Sequence, residues 1–119
     1  MSGYTVAVGK GSRPLTGPEF VALNGGPEFK FTEAISLSVS CETQEEVDDL
    51  AARLSAGGAV GDCGWLKDKY GLSWQIVPSV LSRMLVDKDP AKTDRVMRAM
   101  MRMKKLDIAA LKRAYEGKA

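Results

Sequence analysis

Residues 34–47, AISLSVSCETQEEV, change from one backbone period to another within a few residues, and that change constrains the fold more than any other stretch. Ile35, Leu37 and Val39 alternate with Ser36, Ser38 and Ser40. Side chains alternate across a strand, so this pattern predicts a strand with one dry face and one polar face. Thr43 then stands three residues before Glu46, the reciprocal capping arrangement that satisfies backbone donors left free at a helix start. Val47, Leu50, Ala51 and Leu54 follow at helical spacing, and Gly57 offers a left-handed stop. An amphipathic helix is therefore expected over about 44–56. Its apolar stripe needs a sheet to lie on, and the Ile35/Leu37/Val39 face is the nearest candidate.

The flanking segments extend this strand-helix unit. YTVAV (4–8) and EFVALN (19–24) are short β-rich runs, separated by GKGSRPLTGP, whose glycines and prolines mark a loop or wide hairpin. CGWLKDKYGLSWQIVP (63–78) is broken at Lys67–Gly71, which predicts strands at about 60–66 and 72–77. In the second, Leu72, Trp74 and Ile76 share one face and Ser73, Gln75 and Val77 the other. After Pro78 the pattern turns helical. Asp89-Pro90 is a cap followed by a proline at the first helical position, and Val96, Met97, Met100, Met101 and Met103 make the next helix apolar. A last helix is expected from Asp107 to near Gly117, with Leu106 and Leu111 placed as a hydrophobic staple. The methionines read first as flexible core filler, with an interface surface as the alternative.

The chain of 119 residues is read as a single α+β domain, large enough for one core. It contains no histidine, which removes the commonest general base and the commonest transition-metal ligand. Cys41 and Cys63 lack CxxC spacing, so reduced thiols are expected, with Cys63 a buried thiol that has no histidine to activate it. No apolar run reaches the roughly 20 residues needed to span a bilayer, and the start of the chain has no secretory pattern; no membrane association and a cytoplasmic location are expected. Charge is uneven: residues 1–87 carry net −4 and residues 88–119 net +6. A basic helical tail raises the question of nucleic acid, but a solvated helix face accounts for the same charges and is the preferred reading.

With LNGGPEFKFTEAISLSVSC, CGWLKDKYGLSWQIVP and MKKLDIAALKRAY in this order, the sequence resembles the PhnB-like proteins of the glyoxalase/bleomycin-resistance/dioxygenase superfamily, the vicinal-oxygen-chelate fold. Many of these carry the label 3-demethylubiquinone-9 3-methyltransferase. The resemblance spans about residues 19–116 and implies βαβββ modules whose curled mixed sheet forms a cup around a ligand, followed by C-terminal helices. Residues 1–33 then correspond to a first module short of its leading strand and helix, 34–78 to the second module, and 79–119 to the helical extension. Half a cup leaves an open sheet edge, at residues 4–8, and a homodimer is expected to cover it. Metal-using relatives line the cup with histidine and carboxylate. Here the resemblance puts Ser36 at the histidine position of the second module's first strand and Gln75 at the last glutamate position, four residues after Gly71. Neither a hydroxyl nor an amide holds a divalent transition metal as imidazole and carboxylate do, so no metal and no cofactor are expected. Nor does any glycine-rich loop follow a strand as S-adenosylmethionine binding asks.

The resulting expectation is a metal-free small-molecule-binding protein or degenerate enzyme of the superfamily, its unknown ligand contacted by Asn24, Ser36, Ser38, Trp65, Ser73 and Gln75. Trp74 is assigned to the core by parity. Trp65 and Gln75 stand open between a site role and a structural one, and Asp68 and Lys69 read as a surface turn pair. The competing expectation is an assembly or regulatory module whose basic tail meets nucleic acid or another protein.

Overall fold

The computed structural model describes residues 3–6, 20–23 and 27–118. The chain divides into two compact units, residues 1–30 and 31–119. In the first, β1 (Gly3–Val6) pairs antiparallel with β2 (Phe20–Leu23), Gly3 opposite Leu23 and Val6 opposite Phe20. β1 overlaps the expected run 4–8 over residues 4–6, and β2 lies within the expected run 19–24. The loop expected between them and the candidate residue Asn24 lie outside the described residues.

The second unit holds β3 (Ser36–Cys41), α1 (Gln44–Ser55), β4 (Ala59–Val60), β5 (Trp65–Lys67), β6 (Ser73–Pro78), α2 (Ser79–Leu85), α3 (Pro90–Met101) and α4 (Ile108–Glu116). Its sheet runs β3-β6-β5-β4, with β3 parallel to β6 and the other pairs antiparallel. The result is an open, mixed, four-stranded α+β sheet of βαβββ connectivity. Thr43 caps α1 by accepting from the Glu46 amide at 3.1 Å, while the Glu46 carboxylate accepts from the Glu42 amide at 3.3 Å, one residue earlier than a strict capping box. Gly57, at φ 76°, turns the chain out of the helix.

Four expectations are corrected here. Ile35 is not part of the dry face: it precedes β3 and is 71% exposed, because β6 begins at Ser73, opposite Ser36, and offers Ile35 no partner. Helix α1 consequently lies chiefly over β6 and β5 rather than β3. The expected strand at 60–66 is two short strands, β4 and β5, separated by a turn in which Gly61 donates to the Trp65 carbonyl at 2.8 Å. Cys63 sits in that turn at φ 57°, half-buried, with its sulfur 3.9 Å from that of Met101; the fully buried thiol is Cys41.

The C-terminal helices follow their caps. Asp89 accepts from Ala91 at 3.0 Å ahead of Pro90, Asp107 accepts from Ala110 at 3.1 Å, and Gly117 closes α4 at φ 76°. Leu81, Met84, Val96, Leu106 and Leu111 form their shared core, with Met100 and Met103 against it; Met97 and Met101 are exposed. The connection between α3 and α4 is tied to the sheet. Cys63 and Gly64 donate to the carbonyls of Met103 and Lys104 at 2.8 and 2.7 Å. The Gln44 amide, at the start of α1, donates to the Leu106 carbonyl at 3.0 Å and accepts from the Ile108 amide at 2.7 Å.

Candidate functional site

Register divides the sheet's side chains between two faces. Val60, Leu66, Trp74 and Leu37 form one cross-strand row, with Ile76 and Val39 beside it. Leu66, Trp74 and Ile76 are buried on this face, at 3%, 8% and 1% exposure, and α1 covers it. The opposite face carries Lys67, Ser73 and Ser36 in one row and Trp65, Gln75 and Ser38 in the next. Five of the six candidate residues are thus brought onto one surface by alternation alone.

The polar face is not uniformly open. Ser38 is exposed, and Ser36, Trp65 and Gln75 are half-buried. The Gln75 side-chain nitrogen donates to the Ser36 hydroxyl at 2.8 Å, joining β6 to β3 along a diagonal. Ser73, expected to face an open cup, is 1% exposed, and its hydroxyl has no hydrogen-bond partner. Beside it Lys67 forms an ion pair with Glu33, from the segment leading into β3. The hydrogen bond from that ammonium, followed by a backbone hydrogen bond and then the ammonium's charge, holds the Glu33 carboxyl below its usual range.

Asp68 carries more than the surface turn expected of it. Its Oδ1 accepts from the Tyr70 and Leu72 amides at 2.9 and 3.0 Å, and its Oδ2 accepts from the Trp74 indole at 2.9 Å. One half-buried carboxylate therefore sets the β5–β6 turn and orients the largest core ring. The signal in the sequence was the Asp-x-x-Gly spacing of Asp68 and Gly71, which suits an Asx turn; the reach to Trp74 had no local signal.

A half-open cavity of 230 Å³ lies on the other, helix-covered face, bounded by Ala51, Val60, Leu66, Ile76 and Leu106, and Trp65, at the rim of the sheet, also lines it. Lys105 and Asp48, paired at 2.8 Å, also line it. It is smaller than most ligand pockets, about 300–1,000 Å³, and its polar lining is committed to that ion pair. The convergent polar groups are on the sheet's other side.

The family described as 3-demethylubiquinone-9 3-methyltransferase matches residues 5–77, which includes the βαβββ unit except Pro78 at the end of β6. The chain belongs to this family. Among solved structures it is similar to the PhnB protein from Bacillus cereus, which carries the provisional description 3-demethylubiquinone-9 3-methyltransferase: 30% identity, covering 64% of this chain and 77% of that one, with a TM-score of 0.50. No curated protein matches the chain. The PhnB-like resemblance seen in the sequence is thereby established, and the fold fits the glyoxalase-like architecture.

The residues of this PhnB-like chain do not fit either group that its relatives suggest. At the two positions where the resemblance asks for metal ligands, Gln75 turns its amide N–H toward Ser36 and the serine accepts; neither is a transition-metal donor of useful strength. Among the described residues, no three His, Cys, Asp or Glu side chains cluster to hold a metal ion. For a methyl donor, the β3–α1 connection is Glu42-Thr43, capped by Thr43 itself, with no glycine to let a nucleotide approach the backbone. Among the described residues no helix is long and apolar enough to cross a membrane.

Proposed function

We propose that the protein is a metal-free small-molecule-binding member, or degenerate enzyme, of the PhnB-like family, taking its ligand on the polar face of the β3-β6-β5 sheet. The observation that carries the reading is the shared face: Ser36, Ser38, Trp65, Ser73 and Gln75 lie in two adjacent cross-strand rows. Hydroxyls and an amide beside an indole suit a planar ligand oriented by hydrogen bonds. A cytoplasmic location goes with this proposal. The alternative, nucleic-acid contact through the basic tail, is weakened by its own ion pairs. Arg98, Lys104, Lys105 and Lys118 are each engaged by a carboxylate.

Gln75→Leu tests the site. The fold is expected to survive, because Gln75 is half-buried and its bond is to another polar side chain. Affinity for a ligand found by screening or retained on purification should fall by about 1–3 kcal/mol, the loss when a polar partner goes missing. Calorimetric titration of both proteins measures this. Equal affinity would return Gln75 to a purely structural role.

The homodimer is proposed on separate grounds. The sheet is open, and β3 and β4 are its edge strands; unpaired edges invite pairing with a second copy. Light scattering is expected to give twice the 12.8 kDa chain mass at micromolar concentration. A chain mass independent of concentration overturns the dimer.

A further inference from the structure

Strand β6 lies between β3 and β5. Lys67 of β5 stands directly opposite Ser73, which stands directly opposite Ser36. The ion pair between Lys67 and Glu33 joins β5 to the segment that leads into β3, the two strands that flank β6. On β6, opposite Lys67 in register, Ser73 is 1% exposed and its hydroxyl has no partner among the described residues. A buried polar group left unbonded is costly, and where one persists it calls for an acceptor or donor from outside the chain, a ligand, an ion or a water. Trp65 lies two residues from Lys67 on the same face, about 7 Å along the strand.

We propose that this face takes a small aromatic monocarboxylate, whose carboxylate replaces that of Glu33 on Lys67 and accepts from the Ser73 hydroxyl while its ring lies along Trp65. The inference rests on the polar face being the ligand surface and narrows the ligand to a planar body with one anionic tip. Three observations support it. Lys67 already holds a carboxylate, so Glu33 stands in for the ligand's anionic group. That stand-in is easily released: the Glu33 and Lys67 side chains are 62% and 47% exposed, and the neighbouring Phe31 and Ile35 are 60% and 71% exposed. Exposed ion pairs contribute little, and exchanging one carboxylate for another conserves the charge pairing. The exchange gives Ser73 the acceptor it lacks. The strand spacing between Trp65 and Lys67 sets the arm between ring and carboxylate, and a two-carbon arm matches it.

The test uses the whole chain, 15N-labelled, titrated with 3-phenylpropanoate and with its neutral amide, 3-phenylpropanamide. The two indole N–H resonances report separately. Trp65 is on the proposed surface, whereas the Trp74 indole is bonded to Asp68 and its ring is buried on the other face, so it serves as an internal reference. The acid is expected to move the Trp65 signal and to bind about fivefold tighter than the amide, the factor a partly exposed charge pair supplies. Lys67→Gln should remove that advantage, so that the acid binds no tighter than the amide. Glu33→Gln, which removes the competing carboxylate, should tighten acid binding by about threefold. If the amide binds as tightly as the acid, or Lys67→Gln leaves acid binding unaltered, the anion site falls while the polar face stands as a ligand surface. If neither probe moves Trp65, the anion site and the aromatic-ligand surface fall together.

Discussion

Replacing Trp74 by alanine is expected to lower the free energy of unfolding by about 3–5 kcal/mol, the range for a large aromatic removed from a core. Trp74 is 8% exposed in the second position of β6, with Leu66 opposite on β5 and Leu37 opposite on β3. The truncation leaves a void between two strands and the overlying helix face. It also strips the Asp68 carboxylate of its indole donor, although Asp68 keeps its two backbone donors. Trp74→Phe separates these contributions: it retains most of the packing and loses the charge-assisted bond, for an expected cost of about 1.5–3 kcal/mol. Denaturant unfolding measures both, and an alanine variant within about 1 kcal/mol of the parent would show that the ring is not core.

Gly64→Ala should cost about 2–6 kcal/mol, an unusual penalty for one methyl group. The residue is held at φ 84°, where a side chain is strained by about 1–3 kcal/mol. Its Cβ would also stand 2.9 Å from Leu106 Cδ1 and 3.0 Å from the Ile76 carbonyl oxygen. Neither can retreat freely, since Leu106 is 1% exposed and the Ile76 amide is bonded to the Gly64 carbonyl at 2.9 Å. Overpacking of this kind adds about 1–3 kcal/mol. Gly71→Ala is the control: it has a similar φ, 88°, but a Cβ there meets no atom within 4 Å, so only the conformational cost applies. Thermal or denaturant midpoints of the two variants should differ clearly, and equal losses would mean that the Gly64 packing is dispensable.

Local chemistry carried most of the architecture. The alternation around Ser36–Ser40, the caps at Thr43, Asp89 and Asp107 and the Leu106–Leu111 pair each specify structure within a few residues, and those elements were legible. Parity also grouped Ser73 with Gln75 and placed Trp74 opposite them. What escaped depends on partners distant in the chain. Ile35 continues the alternation in sequence, yet strand length is set by where β6 begins, 37 residues after Ser36 along the parallel pairing. The involvement of Lys67 rests on an ion pair joining β5 to the approach of β3, and neither that pairing nor the burial of Ser73 is recorded in any periodicity. Asp68 was read as surface because its two nearest contacts are a local turn, while the third is a tryptophan on the next strand.

The connection between α3 and α4 has a consequence for how the chain holds together. Strand hairpin and helices are sewn by backbone bonds at Cys63 and Gly64 and by both ends of the Gln44 amide, and Leu106 fills the space against Gly64 that a side chain would otherwise occupy. The stretch matched to the family ends at residue 77, but the wall that closes its interior comes from beyond it. The sheet and the C-terminal helices are therefore expected to unfold in a single transition. A substitution at the far end of α4 should then lower the midpoint read at the sheet as much as the midpoint read at the helices.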